Sequence, residues 1–186
     1  MRKVIAGLFH SVDGVVEAPN LFQFDSFDDE LGEEMGVIMG EIGTVLMGRV
    51  GYSEWAGYWP NASQDLDFAA FINGVQKFVA SETLEPSGIT WTNASLIESD
   101  FLDFVRELKA GEGSDICAMG GISLVRQLVF AGLMDELTLI THPVIAGTGR
   151  HLFEPGDPTT RLELIRARTT SKGNVVQVYR RLAQHS

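Results

Sequence analysis

Three things are scarce in this sequence: cysteine, clustered positive charge and long apolar runs. Its 186 residues include one cysteine, Cys117, which excludes an intrachain disulfide and fits a reducing, cytoplasmic location. Lys and Arg total 14 against 25 Asp and Glu, for a net charge of −11. Without a basic cluster, nucleic acid is not expected as a main partner. No apolar run approaches the roughly 18 residues that a transmembrane helix needs, and we expect no membrane association.

Metal-binding patterns are also missing. The four histidines lack any metal-ligand spacing, and no metal site is predicted; they are His10, His142, His151 and His185. The sequence has no zinc-deaminase signature, which would combine a His or Cys with Cys-x-x-Cys and a Glu. Cys117 lies in an apolar strand pattern, which favours a buried, inert thiol over a nucleophile.

What the sequence does have is an alternation of strands and helices. Apolar residues make up 45% of the chain, enough for a full core, and the length predicts one domain over residues 1–186. Strand patterns at 4–9, 44–47, 77–80, 116–119 and 136–144 alternate with helical patterns at 29–42, 50–56, 66–75, 101–109 and after Gly121. Short extended pieces are predicted at 89–91 and 95–97, and a terminal hairpin at 161–168 and 174–181.

This order predicts the fold class. Alternating strands and helices favour an α/β protein in which a mostly parallel central sheet lies between two helical layers. The terminal pair of strands, joined by the turn at 172–174, adds an antiparallel edge to that three-layer α/β/α arrangement.

A pair of adjacent glycines is the first candidate for a ligand-binding turn. Gly120 and Gly121 follow the strand at 116–119 and precede a helix with Leu124, Val125 and Leu128 on its apolar side. The first helical turn leaves backbone N–H groups without partners, and glycine lets a phosphate approach them closely. The pattern is not GxGxxG, and a tight turn without a ligand remains an alternative.

Other polar residues also follow predicted strands. Gly48 and Arg49 come after the second strand, where the arginine suits a phosphate or a surface salt bridge. Ser81 follows the third strand, and its hydroxyl suits either a ribose or phosphate oxygen or a turn. The first strand runs into residues 10–14. Because ligands bind beyond the carboxyl ends of parallel strands, we expect these residues and the paired glycines at one edge.

Five segments of the chain, in order and spacing, resemble a known family. They are Ser11–Pro19 (SVDGVVEAP), Val45–Trp55 (VLMGRVGYSEW), Lys77–Leu84 (KFVASETL), Ala118–Leu137 (AMGGISLVRQLVFAGLMDEL) and Pro143–Phe153 (PVIAGTGRHLF). The chain resembles the dihydrofolate reductase-like superfamily, in the branch of the C-terminal reductase domain of bacterial riboflavin biosynthesis enzymes. The resemblance covers nearly the whole chain and implies a dihydrofolate reductase-like fold.

The resemblance implies a cofactor, NADPH, laid across the strand ends. Gly48 and Arg49 match the family's glycine–arginine pair, so that Arg49 would face the 2′-phosphate, and Ser81 matches a serine near that phosphate. The pyrophosphate turn is matched by Gly120, Gly121, Ile122 and Ser123. In dihydrofolate reductases the Gly–Gly bond is cis, and a cis bond is therefore predicted here. Asp13 matches an acid near the nicotinamide and the substrate.

The sequence also departs from the family pattern. Dihydrofolate reductases carry an acid that faces the pterin, but Asp25, Asp28 and Asp29 do not sit in a matching motif, and we do not expect folate reduction. Val50 stands where many relatives have Thr or Arg, which removes one phosphate contact.

Together these residues predict an NADPH-dependent reductase. Its flat, conjugated substrate would be a pterin-, pyrimidine- or flavin-like compound, and the family includes the 5-amino-6-(5-phosphoribosylamino)uracil reductases. The substrate is expected to lie over the aromatic residues Phe22, Phe24, Trp55 and Trp59. Packing in the core, a satellite cluster or a dimer interface is the alternative for these aromatic residues. Asp13 would position polar groups or relay a proton, or would only build its turn.

The sequence offers two alternative functions, and the resemblance also implies an oligomeric state. One is a binding module that holds a nucleotide or flavin without turnover. The other is a hydrolase built on His10, Ser11 and Asp13, which the lack of a G-x-S-x-G elbow disfavours. Relatives are commonly homodimers, so a homodimer is expected, with the apolar strand 137–144 and the turn 147–149 as its candidate surface.

Overall fold

The computed structural model describes residues 1–182, and His185 lies outside them. Within those residues it has eight strands and five α-helices. The strands are β1 (Val4–His10), β2 (Ile42–Gly48), β3 (Gln76–Ala80), β4 (Ala94–Leu96), β5 (Asp115–Met119), β6 (Glu136–Thr141), β7 (Leu162–Thr169) and β8 (Val175–Arg181). The helices are α1 (Asp29–Glu41), α2 (Arg49–Tyr58), α3 (Leu66–Gly74), α4 (Phe101–Ala110) and α5 (Ile122–Phe130). None of these helices is both long and apolar enough to cross a bilayer.

All eight strands belong to one sheet, in the order β4-β3-β2-β5-β1-β6-β8-β7. The six strands from β4 to β6 are parallel to their neighbours, whereas β8 is antiparallel to both β6 and β7. The predicted mostly parallel sheet with a C-terminal antiparallel hairpin is therefore confirmed.

Helices cover both faces of this sheet, because side chains of successive strand residues point to opposite faces. Leu46 of β2 packs in a cluster with residues of α4 and α5. Its neighbours Val45 and Met47 pack in a second cluster with residues of α1, α2 and α3. The three-layer α/β/α arrangement is thus confirmed.

The position of β6 corrects two predictions. This strand lies between β1 and β8, and Leu137 and Ile140 are buried. Because both edges of β6 are paired and these side chains are buried, the strand cannot supply the proposed dimer surface, and that part of the prediction is wrong; the turn at 147–149 and the homodimer itself stay predictions. The strand also ends at Thr141 rather than Val144, just before Pro143, which has no N–H to continue the ladder.

The extended piece predicted at 89–91 is not a strand. The N–H groups of Thr90 and Trp91 donate to the Tyr52 hydroxyl oxygen, at 2.8 and 3.1 Å. A side chain of α2 therefore satisfies the donors that would otherwise need a neighbouring strand.

Asp100 directly precedes the helical pattern at 101–109, which predicts that it caps this helix, and it does cap α4. Its carboxylate accepts hydrogen bonds from the N–H groups of Leu102 and Asp103, both at 3.0 Å. We expect Asp100→Ala to lower the free energy of unfolding by about 1 kcal/mol, and Asp100→Ser to retain most of it. Urea denaturation of both variants would measure this, and equal losses in Ser and Ala would contradict a capping role.

Candidate functional site

The carboxyl ends of the parallel strands bring the predicted phosphate-binding residues together. Gly48 pairs with Ala80 in the β2–β3 register, which places Ser81 beside the start of α2. Met47 pairs with Met119 in the β2–β5 register, which places Gly120 beside Gly48. Since β1 and β6 lie on the other side of β5, the loops after these five strands form one continuous edge.

Gly48 and Gly121 are in contact across this edge. A Cβ atom built on Gly121 would lie 3.3 Å from the Gly48 nitrogen, and one built on Gly48 would lie 3.9 Å from the Gly121 Cα. The turn after β5 therefore packs directly on the start of α2. Arg49 and Gly121 lie on the same side of the molecule, as a shared nucleotide site requires.

The first turns of α2 and α5 have no side-chain cap. Gly48 precedes α2 and Gly121 precedes α5, and neither offers a side chain that caps the first turn. By contrast, Asp28 and Asp100 cap α1 and α4 with their carboxylates. Two uncapped helix starts next to one another leave backbone N–H donors, with the positive ends of two helix dipoles, for an anion such as a pyrophosphate.

The bond between Gly120 and Gly121 is trans, so the predicted cis bond is wrong. The chain reverses here through Gly120 itself, whose φ is +64°. Glycine adopts this left-handed conformation without a steric penalty, and the turn is therefore built without a cis bond.

Arg49 and Ser81, the two residues predicted to lie near the adenosine 2′-phosphate, differ in the contacts that they make within the protein. Arg49, the first residue of α2, is exposed, and its guanidinium forms no ion pair within residues 1–182. Ser81 is half-buried, and its Oγ accepts hydrogen bonds from the N–H groups of Thr83 and Leu84, at 3.1 and 2.9 Å. The serine therefore builds a turn, and its hydroxyl hydrogen is left to donate. At the start of α5, Ile122 is half-buried and Ser123 is exposed.

Asp13 is held as a carboxylate by three donors. Its Oδ1 accepts from Ser11 Oγ at 2.6 Å and from the Ala146 N–H at 2.9 Å, and its Oδ2 accepts from the Gly147 N–H at 2.8 Å. These hydrogen bonds, that from Ser11 first, lower the pKa of Asp13 to about 2. A group with this pKa is a poor proton donor near neutral pH.

The geometry does not assemble a hydrolase. Ser11 is buried, and its Oγ donates to Asp13 and accepts from the Val15 N–H. His10 Nδ1 lies 2.8 Å from the Ser11 carbonyl oxygen rather than from Oγ. Since a carbonyl only accepts, Nδ1 is the donor, and His10 is not placed as a base for Ser11.

The four aromatic residues proposed for the substrate fall into two groups. Phe22 is 5% exposed and packs against the His142 ring, whereas Phe24 is 78% exposed. Trp55 and Trp59 contact each other and Phe68 edge to face. Phe22 and the two tryptophans thus fit the packing alternative, although Trp55 also reaches the turn: its Cε2 would lie 3.7 Å from a Cβ on Gly120.

Two residues near this edge escape the sequence analysis. Gly51 of α2 lies against the turn, because a Cβ there would come within 2.0 Å of the Gly120 carbonyl oxygen. The spacing of Gly48 and Gly51, three residues apart and so on one helix face, is the signal that could have found it.

The other missed residue is His142, fully buried directly after β6. Its Nδ1 lies 2.7 Å from Ser26 Oγ, and its Nε2 lies 3.2 Å from Gln23 Nε2. Burial, and then nearby His10, lower the pKa of His142. This neutral imidazole ties the segment with Phe22 and Phe24 to the end of β6, and a lone histidine in sequence gives no sign of such a role.

Comparison with known proteins agrees with this architecture. Residues 2–176 match the family model of the RibD C-terminal domain. The uncharacterized protein YyaP of Bacillus subtilis is 30% identical over 182 residues, which cover 96% of this chain and 94% of YyaP. A second uncharacterized protein of B. subtilis, YwjB, is 25% identical over 181 residues, or 96% of this chain and 97% of YwjB.

Solved structures share the fold at low sequence identity. A Shewanella sp. PV-4 protein whose name assigns it to riboflavin biosynthesis has a TM-score of 0.73 and 17% identity, covering 97% of this chain and 99% of its own. A pyrimidine reductase-like protein from Corynebacterium diphtheriae has a TM-score of 0.67 and 15% identity, covering 98% and 93%. The Thermotoga maritima diaminohydroxyphosphoribosylaminopyrimidine deaminase/5-amino-6-(5-phosphoribosylamino)uracil reductase has a TM-score of 0.66 and 13% identity, covering 97% and 57%. By its match over residues 2–176, this chain belongs to the RibD C-terminal domain family.

Proposed function

We propose that this protein is an NADPH-dependent reductase of a small conjugated heterocycle, such as a pterin, pyrimidine or flavin. The observation that carries the proposal is the contact between Gly48 and Gly121, which places two uncapped helix starts side by side. Their backbone donors suit the pyrophosphate of a dinucleotide, as the backbone of a glycine turn often does.

Arg49 supports NADPH over NADH. Arg49 directly follows Gly48 in the chain. Its guanidinium is exposed and has no carboxylate partner within residues 1–182. A guanidinium pairs with phosphate through two parallel hydrogen bonds, and NADPH differs from NADH only in its 2′-phosphate. Ser81, on the neighbouring strand end, has a hydroxyl hydrogen to add to that contact.

The bound cofactor would supply the hydride, and the protein would supply its position. The ring end of the cofactor would then lie toward β1 and β6, because Arg49 and the paired glycines would hold the other end. The loops after those two strands would then orient the nicotinamide and the substrate against each other.

Titration of the protein with NADPH and NADH, followed by tryptophan fluorescence, tests the cofactor assignment. Trp55 lies against the Gly120 turn and is a local reporter. We expect Arg49→Ala to weaken NADPH binding by about 10- to 100-fold, the contribution of a charged hydrogen bond, and NADH binding far less. Arg161→Ala is the matched control, because it removes an exposed arginine just before β7, which begins at the opposite edge of the sheet.

Equal losses for both nucleotides in Arg49→Ala would contradict the 2′-phosphate assignment. Wild-type protein that binds neither nucleotide would contradict the reductase. Oxidation of NADPH by a panel of pterins, pyrimidines and flavins, followed by the near-ultraviolet absorbance of the reduced nicotinamide, then separates the reductase from a module that binds without turnover.

A further inference from the structure

The loops after β1 (residues 11–17) and β6 (residues 142–151) are joined along their length. The Val12 N–H donates to the Val144 carbonyl at 2.7 Å, and the Val16 N–H donates to the Arg150 carbonyl at 2.9 Å. Val15 and His151 form an antiparallel bridge. The two loops are thus linked to each other by backbone contacts beyond the end of the main sheet.

The Asp13 side chain extends from the first loop to the tip of the second, and the Glu17 side chain reaches the same loop farther along, where its Oε2 accepts from the Arg150 N–H at 3.1 Å. The two carboxylate oxygens of Asp13 accept from the N–H groups of Ala146 and Gly147, and the Asp13 carbonyl accepts from His151 Nε2 at 3.0 Å. We propose that Asp13 is a positioning residue, whose carboxylate joins the two loops into one wall at the ring end of the nucleotide site. The place of this wall in catalysis rests on the proposed function, while the joining of the loops does not.

The chemistry of the contact demands a carboxylate. Asp13 meets three donors, from Ser11, Ala146 and Gly147, and its two oxygens accept from all three. Asparagine has nearly the same volume, but its NH₂ group would face one of these donors, and a donor facing a donor leaves both without partners. The group is therefore occupied in holding the loops, and it is not free to exchange a proton with a substrate.

The joined loops also carry apolar side chains to the surface. Val12 and Ile145, on either side of the contact, are 62% and 76% exposed. A wall with aliphatic side chains suits the flat face of a heterocyclic ring better than it suits a phosphate.

Two measurements on Asp13→Ala and Asp13→Asn test the proposal. The first is hydrogen exchange at the amides of Ala146 and Gly147, which we expect to become at least about tenfold faster in both variants. The second compares the affinity for NADPH with that for adenosine 2′,5′-bisphosphate, which lacks the ring end. We expect a roughly tenfold loss for NADPH and none for the bisphosphate.

Glu163→Gln is the matched control, because Glu163 is a half-buried carboxylate, far from these loops in the strand order, that also accepts two hydrogen bonds, from Arg180. Unchanged exchange at Ala146 and Gly147 would overturn the proposal, as would equal losses for both ligands together with a lower Tm, which mark general destabilisation. If wild-type protein bound neither ligand, the proposed function would fail, and the exchange rates would still decide whether Asp13 joins the loops.

Discussion

Gly51→Ala is expected to destabilise the protein by about 2–3 kcal/mol, because the new methyl group has no room. A Cβ at this position would lie 2.0 Å from the carbonyl oxygen of Gly120, 2.7 Å from its carbonyl carbon and 2.9 Å from its Cα. All three are backbone atoms, which cannot turn aside as a flexible side chain would. Either α2 or the turn after β5 must move.

The same change is expected to weaken nucleotide binding, since the displaced turn is the proposed pyrophosphate site. Urea denaturation measures the stability loss, which corresponds to a Tm lower by roughly 4–12 °C for a chain of this size. Fluorescence titration with NADPH measures the effect on binding.

Gly57→Ala supplies the control on the same helix. A Cβ at Gly57 meets nothing within 4 Å, and alanine there should be neutral or stabilise α2 by about 0.5–1 kcal/mol. If both variants had the stability of the wild type, α2 and the turn would not be packed as described.

Lys77 is expected to make the protein more stable as the pH rises above 8. Its side chain is 0% exposed. The Nζ donates to the carbonyls of Ile72 and Val75, both at 2.8 Å, and lies 4.6 Å from the centroid of the Trp91 ring. No carboxylate within residues 1–182 forms an ion pair with it. Burial lowers the pKa of Lys77 from 10.5 to about 8.

The direction of this change in stability follows from the pH at which Lys77 loses its proton in the folded and in the unfolded state. Below pH 8 the lysine is charged in both states, and folding carries the full cost of burying that charge. Between pH 8 and 10.5 the folded state has lost the proton and the unfolded state still holds it, so the free energy of unfolding rises with pH. The total gain is about 3 kcal/mol, of which about 1.5 kcal/mol falls between pH 8 and roughly pH 9.5.

Cys117 has the opposite effect on the free energy of unfolding at higher pH. Burial raises the pKa of its thiol from 9.0 to about 12, so that above pH 9 the unfolded thiol ionises first and stability falls. The effect of Lys77 is therefore measured as the difference in free energy of unfolding between wild type and Lys77→Met, both of which retain Cys117.

Urea denaturation from pH 7.5 to about 9.5 gives this difference. We expect the free energy of unfolding of wild type, relative to Lys77→Met, to rise across that range. Lys3→Met is the control, because the hydrogen bond to Glu136 raises the pKa of Lys3 above 10.5 and it contributes no slope there. Parallel pH profiles for wild type and Lys77→Met would show that Lys77 stays charged in the folded state.

Much of the candidate site could be predicted from local sequence. Gly48, Ser81 and Gly120 each follow an apolar strand pattern, and in a parallel sheet all such ends share an edge. Asp100 could be placed as a cap because an acid before an amphipathic run is a local signal. These predictions depend only on neighbouring residues, and the structure confirms them.

Other features depend on contacts between distant segments. Phe22 and Phe24 are two residues apart, yet one is buried against His142 and the other is exposed, with a φ of +45°. The trans bond between Gly120 and Gly121 also contradicts what the family resemblance implied. No periodicity distinguishes Phe22 from Phe24, because His142, against which Phe22 packs, lies more than a hundred residues along the chain.

The amino-acid sequence by itself determined the strands and helices, the open helix starts and the edge at which they meet, since hydrophobic periodicity and glycine placement act over a few residues. The tertiary structure decided which strand ends lie next to one another. Only the order β3-β2-β5-β1-β6 brings Gly48 against Gly121 and carries Asp13 across to Gly147. Strand order is a property of the whole core, because each strand must bury both of its faces at once, and no short segment encodes it.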